Sequence, residues 1–172
     1  MRPKSPPNYL AGYPAELSDK INSLMEKNLV AEMLLKTYPH THEVRSDKAL
    51  YDYVVKLKET FLRKANPINK VAFDSKLHIT HNALGIHTSK SKVHGAKLKA
   101  KREIHVATMF KYMPPEFLRM IVVHELAHIK EGEHNKAFYK LCCHMEPAYH
   151  QLEFDLRVYL TYLEATKQPL WH

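Results

Sequence analysis

The chain has 172 residues, of which 45% are apolar and 26% are charged, and its formal net charge at neutral pH is +8. These proportions are typical of a globular protein, and no run approaches the roughly 20 consecutive apolar residues that a membrane span needs. The first residues carry prolines and polar side chains where a signal peptide has an apolar block, so we expect no export and a cytoplasmic location.

The first part of the chain, residues 1–66, is predicted to be helical. Apolar residues recur at helical spacing over 14–36, and a break is expected near Asn28. A further helix begins after Ser46, whose hydroxyl is suited to an N-cap. Its apolar stripe comprises Leu50, Tyr53, Val54, Leu57 and Phe61.

The middle part, residues 67–110, changes to short β-prone runs that turn residues separate. These runs cover residues 70–73, 77–80 and 102–108. They predict a small, mostly antiparallel sheet of three or four strands.

The last part, residues 114–166, returns to helical signals. Helices are predicted over about 115–131, 135–145 and 147–165. Pro115 fits a first helical turn and Gly132 fits the position just past a helix end. Asn135 fits an N-cap. Helices, sheet and helices in this order predict one α+β domain over residues 1–172.

The only two cysteines, Cys142 and Cys143, are adjacent in the sequence. A disulfide between neighbouring residues is strained, so we expect no structural staple and a reducing compartment. At least one of the two thiols is expected to pack as a small hydrophobic group.

An HExxH motif, formed by His124, Glu125 and His128, lies within the helix predicted over 115–131. Histidines four positions apart share one face of a helix, so both imidazoles can bind one metal ion. Glu125 is rotated by about 100° from His124, where its carboxylate can act on a metal-activated water as the general base. Imidazole ligands suit Zn²⁺, and a catalytic zinc site has about three protein ligands and one open position.

The rest of this helix favours a metal site over structural histidines. Nearly all its other residues are apolar, and a helical wheel places its few charged residues opposite the histidines. The two imidazoles and the carboxylate therefore face inward. Buried polar groups of this kind are costly unless a metal or another partner pairs with them.

The third metal ligand is expected to follow the helix. His134 lies beyond Gly132, where the chain can turn and bring this imidazole back toward the first two. A glutamate on a later helix is the alternative third ligand, and Glu146 and Glu153 are available. Either carboxylate could instead orient a ligand imidazole through its other nitrogen.

Four segments of the last third carry a resemblance to a known family. They are MIVVHELAH at 120–128, EHNKAFY at 133–139, LCCHMEP at 141–147 and YHQLEFD at 149–155. The chain resembles, over nearly its whole length, the YgjP-like family of small zinc metallopeptidases. The resemblance implies a minimal zincin-like fold, His124, His128 and His134 as zinc ligands, and Glu125 as the base. Proteins of this type have also been described as UTP pyrophosphatases.

A peptidase reaction also needs a donor that stabilises the oxyanion of the transition state. Tyr149, His150 and His144 are candidates by their position in the sequence. The strand around residues 103–106 is a candidate edge that pairs with an extended peptide substrate.

Hydrolysis of a nucleoside triphosphate, with Mg²⁺ as an additional cofactor, is the alternative reaction. A basic segment supports this alternative, because a net positive charge favours anionic partners such as nucleotides, nucleic acid or acidic peptides. Its cations are Lys90, Lys92, Lys97, Lys99, Lys101 and Arg102. The candidate phosphate-binding residues among them are Lys97, Lys99, Lys101 and Arg102. An exposed basic hairpin without a ligand is the alternative interpretation of this segment.

A third interpretation is a basic nucleic-acid-binding protein whose zinc is structural. No nucleic-acid-binding motif supports it, and an HExxH helix suits a closed structural zinc site poorly. No membrane partner is expected.

Overall fold

The computed structural model describes residues 7–77, 86–92 and 99–172, and of residues 86–92 and 99–101 it describes the backbone alone. The helices are α1 (Ala15–Glu26), α2 (Val30–Thr37), α3 (Asp47–Phe61), α4 (Pro115–Ala127), α5 (Lys136–Met145) and α6 (Tyr149–Thr166). The strands are β1 (Lys70–Asp74), β2 (Ile86–Lys92) and β3 (Lys99–Ala107), and a short 3-10 helix (Thr108–Tyr112) follows β3. This arrangement confirms the predicted α+β class.

The N-terminal helices begin and end where local signals predict. Asn28 adopts a left-handed conformation with φ of 55° and separates α1 from α2. Asn is one of the few residues that tolerate this conformation. The Ser46 hydroxyl accepts a hydrogen bond from the Ala49 N–H at 3.1 Å and caps α3. Leu50 and Val54 of the predicted stripe are fully buried.

The sheet is mixed, so the expectation of a mostly antiparallel sheet is wrong. Its strand order is β1-β3-β2, with β3 parallel to β1 and antiparallel to β2. Strand β2 was not predicted from the sequence. Of the strand predicted at 77–80, Leu77 lies outside the observed strands, and residues 78–80 are outside the described residues.

The burial of β3 explains this strand order. Ile104, Val106 and Ala107 of β3 are buried, and the sequence of β2 is largely polar. An apolar strand gains most from the central position, whereas a polar strand is tolerated at an edge. Residues 103–105 of β3 therefore pair with β1 on one side and β2 on the other. The prediction that an extended substrate pairs with residues 103–106 is wrong for residues 103–105, because neighbouring strands already occupy both sides of this part of β3.

Helix α4 lies at the centre of the fold and packs against α3, α5, α6 and β3. From Phe117 to its last residue, every side chain except Arg119 is buried, as the helical wheel predicts. The helix is shorter than predicted, ending at Ala127. Its last turn tightens because the N–H groups of Ile129 and Lys130 donate to carbonyls three residues earlier.

Three further features complete the helical half of the fold. The Asn135 side chain accepts a hydrogen bond from the Phe138 N–H at 2.9 Å and caps α5, as predicted. Cys142 is buried without a disulfide, which confirms the expected packing of one thiol. Near the C-terminus, the Trp171 indole donates to the Tyr38 carbonyl at 2.9 Å.

Among the described helices, none combines the length and apolar character that crossing a bilayer requires.

Candidate metal centre

Three histidines converge at the end of α4. The Nε2 atom of His124 lies 3.3 Å from that of His128 and 3.2 Å from that of His134. The Nε2 atoms of His128 and His134 are 3.0 Å apart. His124 is buried, His128 is half-buried and His134 is exposed, so the cluster opens to solvent on the His134 side.

The spacing of these nitrogens fits one divalent metal ion. In a tetrahedral site with metal–nitrogen bonds of about 2.0–2.1 Å, neighbouring ligand nitrogens lie roughly 3.3 Å apart. The observed separations of 3.0–3.3 Å are at or slightly below this value. Within the described residues, this is the group of histidine, cysteine and acidic side chains that could hold a metal.

Hydrogen bonds at Nδ1 orient two of the imidazoles for metal binding. Nδ1 of His128 lies 3.0 Å from the backbone carbonyl oxygen of Glu131. A carbonyl oxygen can only accept, so Nδ1 carries the hydrogen and Nε2 keeps the lone pair that a metal needs. Nδ1 of His124 lies 2.7 Å from the hydroxyl of Tyr149.

The carboxylate of Glu153 lies near the hydroxyl of Tyr149. Burial and the negative charge of the nearby Glu153 carboxylate raise the pKa of the Tyr149 hydroxyl. The negative charge of Glu153 favours the orientation in which the hydroxyl hydrogen points toward that carboxylate, which leaves the oxygen to accept from Nδ1 of His124. Glu153 also lies 3.6 Å from Arg157. These polar groups favour the tautomer of His124 that carries its hydrogen on Nδ1. The lone pair then remains on Nε2, which faces the other two histidines.

Phe138 of α5 forms an apolar floor under the cluster. Its ring centroid lies 5.0, 4.6 and 4.8 Å from those of His124, His128 and His134. Phe138 is fully buried, and it is placed by the same turn that carries His134, because its N–H is bonded to the Asn135 side chain. Sequence reasoning missed this residue, although its position after the helix cap was a usable signal.

Glu125 is fully buried beside His124 on α4. Neither of its carboxylate oxygens has a hydrogen-bond partner among the described residues. Burial raises the pKa of this carboxyl group to about 8. An ionised carboxylate is costly in such a place, and a cation at the histidines would offset that cost.

Comparisons with known proteins agree with the metal site that this geometry indicates. The family model described as "YgjP-like, metallopeptidase domain" matches residues 14–159. The chain belongs to the YgjP-like family. It is also 59% identical over 162 residues to the UTP pyrophosphatase of Escherichia coli (strain K12), and the aligned residues cover 94% of this chain and 97% of that protein. No solved structure matches the chain. Both descriptions are of hydrolytic enzymes, so a hydrolase is supported.

The other candidate ligands of this YgjP-like chain lie elsewhere. The Glu146 carboxylate accepts a hydrogen bond from Nε of Arg119 at 2.6 Å. The Glu153 carboxylate lies 3.6 Å from Nε of Arg157. The structure therefore brings His134, and neither of these glutamates, to His124 and His128.

The three residues predicted to stabilise a transition state have different surroundings. The hydroxyl of Tyr149 is hydrogen-bonded to Nδ1 of His124, which places it to orient that ring, and its contact with a substrate stays a prediction. The exposed His150 lies against the ring of Tyr139, with centroids 5.4 Å apart. His144 lies edge-on to Phe61 of α3 at 5.7 Å.

The basic segment is described only in part. Lys97 is outside the described residues, and so are the side chains of Lys99 and Lys101, whose backbone belongs to β3. Arg102 is half-buried, and its backbone exchanges two hydrogen bonds of 2.9 Å with Asn69.

Proposed function

We propose that this protein is a zinc-dependent hydrolase that converts UTP to UMP and pyrophosphate. His124, His128 and His134 hold the metal in this proposal, and Glu125 is the general base. The convergence of the three Nε2 atoms beside a buried carboxylate is the observation that carries the proposal. The choice of UTP rests on the name of the relative that is 59% identical to this chain.

Zinc is proposed because of the donor set. Imidazole suits zinc better than it suits the hard cations Mg²⁺ and Ca²⁺, which prefer oxygen ligands. When bound, zinc supplies a Lewis acid that lowers the pKa of water and polarises the bond under attack. Mg²⁺ has a separate role, as the counter-ion of the nucleotide's phosphates.

Glu125 takes the proton of the attacking water. A general base works best when its pKa lies near the working pH, and the burial of Glu125 shifts its pKa in that direction. The water oxygen forms a bond to the α-phosphorus, and the bond from the α-phosphorus to the α–β bridging oxygen breaks, so that the bridging oxygen leaves with the pyrophosphate. The proton held on the Glu125 carboxylate can then pass to the departing pyrophosphate.

Peptide hydrolysis is the second candidate. It is favoured by the description of the family domain as a metallopeptidase and by the HExxH spacing of His124, Glu125 and His128. The same residues would act, with water attacking a carbonyl carbon. A nucleic-acid-binding protein with structural zinc ranks third, because three histidines that open to solvent differ from the closed, four-ligand structural sites.

The test compares two substrates under metal exchange. Pyrophosphate release from UTP with Mg²⁺, and cleavage of casein, are measured before chelation, after chelation and desalting, and after Zn²⁺ is restored. We expect UTP hydrolysis that disappears on chelation despite Mg²⁺ and returns with Zn²⁺. Casein cleavage without UTP hydrolysis would establish the peptidase instead. Nucleic-acid binding that persists in Glu125→Gln, without either hydrolysis, would support the third candidate.

Replacing Tyr149 by phenylalanine is expected to weaken zinc binding by about 10–100-fold, because Nδ1 of His124 loses the group that orients it. Zinc affinity is measured by competition with a chromophoric chelator. Tyr159→Phe is the matched control, since it removes the hydroxyl of another buried tyrosine of α6. Equal zinc affinities in the two variants would show that the Tyr149 hydroxyl does not support the metal centre.

A further inference from the structure

A cationic cavity borders the turn that follows α4. Its volume is about 460 Å³, which is within the range of small-molecule sites. It is lined by residues 60–66 at the end of α3 and beyond, by Arg102 of β3, and by Ile129 and Lys130.

The charged side chains that line this cavity, among the described residues, are all cationic. They are those of Arg63, Lys64, Arg102 and Lys130, and no described aspartate or glutamate joins them. Across the described part of the chain, none of these four cations takes part in a salt bridge. Four cations around one concave surface repel one another, and an anion bound between them would remove that repulsion.

The number and type of these cations indicate the class of anion. The guanidinium groups of Arg63 and Arg102 can each donate two parallel hydrogen bonds to phosphate oxygens, and lysine ammonium groups add point charges. A single carboxylate offers too little charge for four cations. A polyphosphate carries several charges in a compact shape, whereas a nucleic-acid backbone is best met by an extended surface.

The cavity and the metal centre share one short segment. Ile129 and Lys130 directly follow His128, and the bond from Nδ1 of His128 to the Glu131 carbonyl fixes this turn. The turn that positions a candidate metal ligand thus also places Lys130 at the cavity wall.

We propose that this cavity binds the polyphosphate of the nucleotide substrate, through Arg63, Lys64, Arg102 and Lys130. The inference rests on the proposed UTP hydrolysis for its choice of substrate class. Of these residues, only Arg102 was a candidate from the sequence, because the others lie outside the basic segment and reach the cavity only through the fold.

The test uses inorganic pyrophosphate with Mg²⁺ as the probe and calorimetric titration of the full-length protein. The double variant Arg63→Ala/Lys130→Ala is compared with Lys20→Ala/Lys36→Ala, which removes two exposed lysines from α1 and α2. Both variants lose the same net charge, and the residues replaced in both are exposed. The cavity variant is expected to bind pyrophosphate about tenfold or more weakly, and its KM for UTP is expected to rise similarly. The control is expected to stay within about twofold of the parent protein.

Each outcome bears on one proposal separately. Equal pyrophosphate affinity in the two double variants overturns the cavity site, even if UTP hydrolysis requires Glu125. Weaker binding in the cavity variant alone, in a protein that does not hydrolyse UTP, supports an anion site and overturns the proposed function. An oligonucleotide that binds through these cations where pyrophosphate does not would overturn the assignment to a polyphosphate.

Discussion

Glu125→Gln is expected to lower the rate of UTP hydrolysis by about 10²–10⁴-fold, because the amide cannot accept the proton of the attacking water. Zinc content is expected to be unchanged, since the three histidines remain. The free energy of unfolding is expected to be equal or higher, because an amide costs less to bury than a carboxylate without a partner among the described residues. Steady-state kinetics, metal analysis and thermal unfolding measure the three effects.

The control for this prediction lies on the same helix. Glu116 is in the first turn of α4 and is exposed, so Glu116→Gln makes the same chemical change away from the metal centre. It is expected to keep parental activity within about twofold. A Glu125→Gln enzyme that hydrolyses UTP as fast as Glu116→Gln would show that Glu125 is not the base.

His134→Ala is expected to abolish metal binding and hydrolysis together. Its side chain is exposed, so alanine opens no cavity in the core, and any loss is attributable to the missing ligand. Bound metal stabilises the folded state by about 4 kcal/mol when its concentration is about 1,000 times Kd. Chelation should therefore lower the melting temperature of the parent protein clearly, and that of His134→Ala very little.

His150→Ala and His144→Ala serve as controls for the loss of a histidine. Both side chains are exposed and lie against rings other than those of the three candidate ligands. They are expected to keep the metal content and the chelator-induced shift in melting temperature. Full metal content in His134→Ala would remove this residue from the site and reopen the choice of third ligand.

The agreement between sequence and structure is closest where interactions are local. The Asn135 and Ser46 caps depend on residues three positions away, and both were predicted. His124 and His128 share a helix face because they are four positions apart. The end of α4 was placed four residues late, because Gly132 suggested a stop, whereas the helix already tightens after Ala127.

Contacts between distant segments account for what sequence reasoning missed. The apolar character of β3 was readable, but its insertion between β1 and β2 depends on packing against α4, and that order makes the sheet mixed. The hydroxyl of Tyr149 and the ring of Phe138 each meet the histidines from another helix.

The sequence by itself determined the helix that carries two imidazoles and a carboxylate, because its periodicity, its apolar composition and its charges fix one inward face. The tertiary structure alone decided which side chain joins them. Glu146 has the chemistry of a ligand, but Arg119 binds it elsewhere, whereas the turn after α4 brings His134 to His124. Helical periodicity is a property of neighbouring residues, but the choice among distant ligands depends on how the whole chain packs.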